Sequence, residues 1–290
     1  MKDFGQINKY LGIQAVKEQD NSIKLNQTDY ICSVAEKFNV IHSKLYDTPM
    51  EQNLKLLPAA TVKDETLYRS LIGALLFIAM NTRPDVAFAV NYLSRFQNSC
   101  DETHFKYALR VLKYLLKTSD LNLIYNANTS PNQDILSCFV DADWAGDPVD
   151  RKSTTGYVIK LYGNPILWKS RKQKSVTKSS TEAEYLALSD ATSELKFLSS
   201  LLSEINIVLK QPIPIYEDNL GAVVIANKGN FSKNSKHIEV HNHFVNESVN
   251  NGLINVIKIS SDENEADILT KSLGKQNFSK FRKSFNLIEH

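Results

Sequence analysis

Apolar and polar residues alternate along residues 134–288 in a pattern that predicts five strands and four helices. The strands are expected at 135–140, 156–162, 166–168, 213–216 and 253–259, and the helices at 181–204, 220–227, 236–250 and 264–272. Short connections join the first three strands, with a hairpin turn at 163–165, whereas helices separate the later ones. This order predicts an α/β (α+β mixed) fold, in which helices flank a mixed sheet and the long helix covers one face.

The first half of the chain has a less regular pattern. Residues 67–80 form a strongly apolar run, which predicts a buried helix that ends near Arg83 and Pro84. Residues 104–117 form an amphipathic helix with one apolar stripe. Residues 12–25 have the alternation of short strands.

A polar, turn-rich segment at 125–134 is the most convincing linker. It predicts a division into two parts, residues 1–125 and residues 134–288. A chain of 290 residues is long enough for each part to bury its own core.

Composition and charge indicate an ordinary folded protein. The hydrophobic fraction is 42% and the charged fraction 23%, while a net charge of +2 is too small to indicate nucleic acid by itself. The 3 cysteines have no metal-ligand spacing, which favours a reducing compartment. No apolar run approaches the roughly 20 residues of a membrane span, and the first residues have no signal-peptide core. We therefore expect an intracellular, cytoplasmic protein without a membrane partner.

Four acidic side chains in the second half adjoin apolar residues: Asp141, Glu184, Asp218 and Asp267. An ionised carboxylate beside apolar surface is costly unless a cation or a hydrogen-bond donor neutralises it. If the fold brings the four together, they form an oxygen-rich site for a divalent metal, with Mg²⁺ as the natural occupant. Their spacing alone does not show that they converge.

Glu184 has the strongest local argument of the four. Counted around the predicted helix, it shares a face with apolar residues, so that a carboxylate interrupts the apolar stripe of Ala187, Leu188 and Ala191. The alternative is a helix-start residue favoured by the helix dipole. Glu182 already fills that role, because it completes a capping box.

The other three acids also have simple structural explanations. Asp141 and Asp218 fall at strand ends, where α/β sheets place ligands but where Asp is also a common turn or N-cap residue. Asp267 lies one turn into a short predicted helix and could stabilise its start. Asp143 competes with Asp141 for the same role.

Three histidines, His237, His241 and His243, invite comparison with a zinc site. His237 and His241 are four residues apart on one predicted helix face. Ile238 follows His237 where the H-E-x-x-H pattern has a Glu, and no cysteine lies near. We expect surface or packing histidines.

Five basic side chains follow the predicted hairpin: Lys169, Arg171, Lys172, Lys174 and Lys178. A solvated face is the default explanation of such a run. Beside an acidic metal site, the same side chains would bind the phosphate backbone of a nucleic acid. Both interpretations stay open.

Seven short motifs follow one another along the second half of the chain: DADWAG at 141–146, DRKSTTGY at 150–157, WKSRKQ at 168–173, SSTEAEY at 179–185, YEDN at 216–219, KHIE at 236–239 and ADILTK at 266–271. In type and order they resemble the motifs that mark the ribonuclease H domain of copia-type retrotransposon polyproteins. The resemblance covers about residues 134–288 and is highly specific, because a chance match to seven ordered words is negligible. It implies a ribonuclease H-like mixed sheet flanked by helices.

Carried over by position, the resemblance assigns catalysis and metal binding to Asp141, Glu184, Asp218 and Asp267. It implies an endonuclease that cuts the RNA strand of an RNA–DNA hybrid with two Mg²⁺ ions roughly 4 Å apart, Mn²⁺ being a substitute. The 2′-hydroxyl distinguishes the strand that is cut. Many cellular ribonucleases H have a histidine before the last helix, whereas this chain has SSDE at 260–263. We expect slower turnover from that difference, not loss of activity.

The first half resembles the polyprotein immediately upstream, a partial thumb/connection segment of the reverse transcriptase. The matching words are FGQINKYLGI at 4–13, TPM at 48–50, YRSLIG at 68–73 and TRPDV at 82–86. The polymerase's Tyr-x-Asp-Asp metal-binding motif does not occur in the chain. No polymerase activity is therefore expected from this chain alone, which we interpret as a C-terminal fragment. The upstream reverse-transcriptase portion is an expected partner.

Two other functions stay open. The chain could be an inert transposon remnant that binds nucleic acid or a polymerase without cutting, or a structural connection module for a separately encoded polymerase half. The four intact acids favour the nuclease, and the truncated start favours the remnant.

Overall fold

The computed structural model describes Gly5 and residues 7–127, 134–229 and 236–289, without the side chains of residues 236–239. Most of the predicted linker and the side chain of His237 lie outside the described residues. Within this part of the chain, the predicted mixed α/β class is confirmed, with two five-stranded sheets and flanking helices. None of the described helices is both long enough and apolar enough to cross a membrane.

The chain divides into two compact units, and its last residues belong to the first of them. Unit one combines Met1–Asn128 with Ser272–His290, and unit two is Thr129–Lys271. The sequence pattern places residues up to 288 in the second part, so the observed boundary lies earlier. The difference arises because the last helix and strand pair and pack with elements far back in the chain, which no local pattern encodes.

Unit one has a five-stranded antiparallel sheet with helices. Its first elements are β1 (Lys9–Tyr10), β2 (Ile13–Lys17), β3 (Ile23–Asn26), α1 (Thr28–Lys37), α2 (Glu65–Asn81), a 3₁₀ helix (Pro84–Val86), α3 (Ala87–Ser94), α4 (Glu102–Lys117) and β4 (Asn122–Tyr125). The helices predicted at 67–80 and 104–117 are confirmed as α2 and α4. The elements α1, α3 and β4 are not among the predicted ones.

Unit two contains the predicted order of strands and helices. It consists of β5 (Leu136–Asp143), β6 (Thr154–Leu161), β7 (Asn164–Lys172), α5 (Ser180–Glu204), β8 (Ile213–Glu217), α6 (Leu220–Lys228), α7 (Lys236–Asn250), β9 (Ile254–Lys258) and two 3₁₀ helices (Ser261–Glu263 and Glu265–Leu269). The chain then returns to unit one as α8 (Lys275–Ser284) and β10 (Leu287–Ile288).

The sheet of unit two has the strand order β7-β6-β5-β8-β9. The first three strands pair antiparallel, and β8 pairs parallel with both β5 and β9. The apolar stripe of α5 packs on this sheet and buries Ala187, Leu188 and Ala191 in the core. The mixed sheet with the long helix on one face is therefore as predicted.

The turn of the hairpin between β6 and β7 is two residues long and begins earlier than predicted. Tyr162 and Gly163 form the turn, with φ values of 49° and 71°, and β7 begins at Asn164. Positive φ at both central residues is the conformation that matches the twist of the two strands. The prediction of a turn at 163–165 is therefore wrong by one residue.

The α-helix predicted at 264–272 is wrong in type, because residues Glu265–Leu269 form a 3₁₀ helix. Asn264 begins it, and its side-chain oxygen accepts from the backbone N–H of Ala266 at 3.2 Å. The same side chain donates to the carbonyl of Val140 at 2.8 Å. This contact ties the short helix to β5 and places its acidic residues near the end of that strand.

Candidate metal centre

Three carboxylates from three elements meet at one edge of the sheet in unit two. Asp141 lies on β5, Glu184 in the second turn of α5, and Asp218 directly after β8. One oxygen from each lies within 4.8 Å of the other two. The parallel register explains part of this arrangement, since Phe139 pairs with Tyr216 and both acids lie two residues further along. Parallel strands thus carry the two aspartates to the same edge.

Glu184 is buried, with 5% of its surface exposed. Within the described residues its Oε2 atom has no hydrogen-bond partner. Burial raises the pKa of Glu184 well above its usual range, and the charges of Glu217 and Asp141 raise it further. An unpartnered buried carboxylate oxygen that faces other carboxylates is what a hard divalent cation satisfies. The donor set therefore fits such a metal.

Asp141 is held by the segment that follows the second 3₁₀ helix. The hydroxyl of Thr270 donates to Asp141 Oδ2. Burial raises the pKa of the Asp141 carboxyl, while the charge of Lys271 and the hydrogen bond from Thr270 oppose that increase. The position of one carboxylate oxygen is thus determined by a neighbouring hydroxyl.

Asp267 lies at the margin of the group. It is not one of the three acids whose oxygens are mutually close, but it shares a side-chain hydrogen bond with Asp141. Its Oδ1 atom lies 2.8 Å from Nζ of Lys271. Burial, and then the charge of Asp141, raise the pKa of Asp267 to about 7. The structure brings three of the four predicted acids together, and the ligand role of all four stays a prediction.

Glu217 is a further acid here that sequence reasoning did not select. It is the last residue of β8 and is 0% exposed. Its Oε1 atom accepts from the backbone N–H of Asn219 at 2.8 Å. Burial raises the pKa of Glu217 well above its usual range, more than that hydrogen bond lowers it. The alternation of side chains along β8 could have predicted this burial, because Glu217 faces the same side of the strand as the core residues Ile213 and Ile215.

Asp143, the alternative to Asp141, is directed elsewhere. Its carboxylate lies against Gly146, where an added Cβ would come within 1.8 Å of Asp143 Oδ2. It is not in the group of close acids. The local sequence pattern favours neither aspartate over the other. The conformation of the loop at Gly146 distinguishes them, because it directs the carboxylate of Asp143 away from the group.

The five basic residues fall into two groups. Lys174 and Lys178 are exposed and have no ion-pair partner within the part of the chain that the structure describes. Acidic neighbours pair with the other three: Lys169 with Glu194 at 3.3 Å, Arg171 with Asp190 at 2.5 Å and Lys172 with Asp147 at 2.6 Å. Local neutralisation reduces the attraction of these three for phosphate.

The histidines contribute to no metal group among the described residues. Nδ1 of His241 lies 2.9 Å from the hydroxyl of Ser189 on α5. This hydrogen bond joins α7 to α5, which is a packing role. His243 is exposed on the same helix.

The protein thus combines a mixed sheet with a group of close carboxylates at one end of two adjacent parallel strands. It belongs to the class of proteins that have a candidate divalent-metal centre at a sheet edge. The chain is 37% identical over 283 residues to the retrovirus-related Pol polyprotein from transposon RE1 of Arabidopsis thaliana, an alignment that covers 97% of this chain and 19% of that protein. It is 34% identical over 287 residues to the Pol polyprotein from transposon TNT 1-94 of Nicotiana tabacum, covering 96% of this chain and 21% of that protein. The chain belongs to the family of retrovirus-related Pol polyproteins from copia-type transposons.

The chain spans about a fifth of the length of these curated relatives. No family model matches it. Among solved structures, LC11-RNase H1, isolated from compost, matches with a TM-score of 0.37 and 16% identity, over 51% of this chain and 97% of that one. The foamy viral protease-reverse transcriptase in complex with RNA/DNA hybrid matches with a TM-score of 0.43 and 13% identity, over 85% of this chain and 29% of that one.

Proposed function

We propose that unit two is a ribonuclease H-type endonuclease that hydrolyses the RNA strand of RNA–DNA hybrids as part of a copia-type Pol polyprotein. The observation that carries this proposal is the convergence of Asp141, Glu184 and Asp218, whose oxygens lie within 4.8 Å of one another. These acids belong to motifs that are far apart in the sequence. Three close carboxylates, of which Asp141 and Glu184 are buried and Asp218 is half-buried, are electrostatically unfavourable without a cation, so the arrangement supports a metal-dependent reaction.

Asp141, Glu184 and Asp218 would hold the metal, and Asp267 would complete the set from the adjacent 3₁₀ helix. We propose two Mg²⁺ ions, for which Mn²⁺ can substitute. When bound, such ions supply Lewis-acid stabilisation of the charge that develops on a phosphodiester during hydrolysis. The chain's own contribution is orientation: the Thr270 hydroxyl holds one oxygen of Asp141, and the unpartnered Oε2 of Glu184 is available to a ligand.

The exposed lysines are proposed as backbone contacts for the hybrid. Lys174 and Lys178 follow β7 and precede α5, the helix that carries Glu184. Free ammonium groups beside an acidic centre attract the phosphates of a strand whose scissile group lies at that centre. Lys169, Arg171 and Lys172 also belong to the proposed surface, but each must first exchange an acidic neighbour for a phosphate.

Residues 1–125 of unit one are proposed to be the C-terminal thumb/connection remnant of a reverse transcriptase. The chain has no Tyr-x-Asp-Asp motif, and polymerisation by this chain alone is not expected. The upstream polymerase portion of the polyprotein is its proposed partner.

The test is cleavage of a labelled RNA–DNA hybrid by the full chain with Mg²⁺ or Mn²⁺, with duplex DNA as the substrate that should be spared. Asp141→Asn and Asp218→Asn should each lower cleavage at least 100-fold, because removal of a carboxylate leaves cationic charge uncompensated. Hybrid binding should persist in both variants. Glu247→Gln, which neutralises an exposed acid of α7, is the matched control and should cut normally.

The opposite result is also well defined. A full chain that binds the hybrid and never cuts it with either metal would replace the nuclease by an inert binding module. Equal cutting by Asp141→Asn and the parent would remove the acidic cluster from the mechanism.

A further inference from the structure

The loop that follows β5, the strand of Asp141, presents a large aromatic side chain to solvent. Trp144 is 46% exposed, although most of a tryptophan side chain is usually buried in a folded protein. It lies three residues beyond Asp141, one of the three close acids. Trp144 is thus the first residue after the strand that carries this acid.

One hydrogen bond holds this indole, and two more hold the turn that carries it. Trp144 Nε1 donates to the carbonyl of Thr177 at 3.3 Å. The next residue, Ala145, donates its backbone N–H to the hydroxyl of Ser153 at 3.1 Å, and that hydroxyl lies 3.0 Å from the hydroxyl of Thr177. Ala145 has a φ of 52°, which is unusual for a residue with a side chain. The loop is thus a tight turn with a preorganised aromatic side chain.

The segment that accepts the indole hydrogen bond has the composition of a nucleic-acid surface. Lys174 and Lys178 are exposed and, within the described chain, unpaired. Between them Val176 is 55% exposed. An aromatic plane flanked by free cations is the combination by which proteins bind nucleic-acid strands, with stacking on the ring and ionic contact to phosphates.

We propose that Trp144 is a contact residue for the nucleic acid: its ring packs on a base or sugar of the strand that lies at the acidic cluster, while Lys174 and Lys178 bind the phosphates on either side. This inference rests on the proposed function of unit two and adds a residue that determines how the hybrid is held. The indole makes a non-ionic contact, and the lysines make ionic ones. The two kinds of contact respond differently to salt.

The experiment measures hybrid binding by the full chain in the Asp141→Asn background, so that the substrate stays intact. Trp144→Ala should weaken binding about 5- to 150-fold, the range of one lost base stack. Trp144→Phe should recover most of that loss because it keeps a ring. Phe197→Ala is the matched control: Phe197 is 62% exposed and lies roughly 20 Å further along α5 than Glu184.

The salt dependence separates the aromatic contact from a general loss of charge. The slope of log Kd against log salt should be unchanged in Trp144→Ala and should fall in Lys174→Ala with Lys178→Ala, because only the lysines release counterions. A Trp144→Ala variant with a lowered slope would contradict a stacking contact.

Fluorescence gives a second measurement that does not depend on removing the indole. The chain has 2 tryptophans, so Trp168→Phe leaves Trp144 as the single indole fluorophore. Its emission should be quenched when the hybrid is added. Unchanged emission together with normal binding by Trp144→Ala would overturn the inference, and normal cleavage by the parent would then leave the proposed nuclease standing. A parent that neither binds nor cuts the hybrid would overturn both.

Discussion

The buried acids of unit two are held against their preference for water. Glu184 and Glu217 are 5% and 0% exposed, and burial raises the pKa of each. Protein sites that tolerate such a cost usually use the groups for binding or catalysis. At this scale the most informative titrating group is Asp267, whose pKa is raised to about 7.

The Asp267 carboxyl should make the metal-free chain less stable as pH rises. Its folded pKa of about 7 exceeds its usual value of 3.8, so its proton stabilises the fold fully below about pH 4. That stabilisation is lost as pH rises through 7. Asp267→Asn should therefore raise the Tm in EDTA by a few degrees at pH 8 and change it little at pH 4. Thermal melts at both pH values check this.

Glu247→Gln serves as the control for this measurement, because Glu247 is exposed on α7. It should leave the difference between the two melts as in the parent. An Asp267→Asn variant with the full pH dependence of the parent would show that other acids cause it.

Divalent metal should stabilise the parent and not its neutralised variants. A ligand at about 100 times its Kd adds about 2.7 kcal/mol to the free energy of unfolding. Mg²⁺ or Mn²⁺ should therefore raise the Tm of the parent, while the double variant Asp141→Asn with Asp218→Asn should show little increase. Without metal, the same double variant should bind the hybrid slightly more tightly than the parent, since fewer carboxylates repel phosphate. Equal metal stabilisation of both chains would place the metal elsewhere.

The element that joins the acids is the second 3₁₀ helix, which packs directly on β6. Gly156 makes this close approach feasible: an added Cβ would lie 2.6 Å from Thr270 Cγ2 and 2.8 Å from Leu269 Cβ. The same segment carries Asp267 and the Thr270 hydroxyl that holds Asp141. The contact between β6 and the second 3₁₀ helix therefore helps to position both Asp267 and Asp141.

Gly156→Ala should displace the 3₁₀ helix from the sheet. Overpacking of this kind costs about 1–3 kcal/mol, and cleavage should fall more steeply than stability because Asp267 and Thr270 move. Gly73→Ala is the control, since no atom lies within 4 Å of the added Cβ and Ala favours the interior of α2 by roughly 0.5–1 kcal/mol. Urea unfolding and hybrid cleavage, measured on both variants, test the expectation. Normal cleavage by Gly156→Ala would show that the short helix is not required.

At the scale of the whole molecule, the chain closes unit one with its last residues. β10 pairs antiparallel with β4, and the ring of Phe278 on α8 packs edge-on against Tyr114 at 5.6 Å. Phe285 and Leu287 are 0% and 1% exposed. The C-terminal segment is thus part of the core of unit one.

Removal of residues 272–290 should destabilise unit one and spare unit two. Burial of one large apolar side chain contributes about 1.5–3 kcal/mol, so the loss of several approaches the whole stability of a domain. Limited proteolysis should then cleave the truncated chain before residue 128 and leave a fragment from the second unit. A chain without residues 289–290 is the control and should resist cleavage like the parent. Rapid digestion of both units in the truncated chain would contradict separate stability.

The apolar periodicity of the chain determined the long helices α2, α4 and α5, because their faces are set by neighbours three and four residues away, and it also gave the five strands of unit two, whereas α1, α3 and β4 were not predicted from it. The ordered motifs also indicated the family, whereas the role that they assign to the four acids stays a prediction. In contrast, the parallel register of β5 and β8 decided that Asp141 and Asp218 meet, and the loop at Gly146 decided against Asp143.

Tertiary structure alone decided three further features: the burial of Glu217, the neutralisation of the paired basic residues, and the return of the last segment to unit one. Each depends on contacts between residues that are distant along the chain. Local sequence specifies which face of a helix or strand is apolar. Only the tertiary structure determines which charged side chains become neighbours and that the last residues of the chain complete the core of unit one.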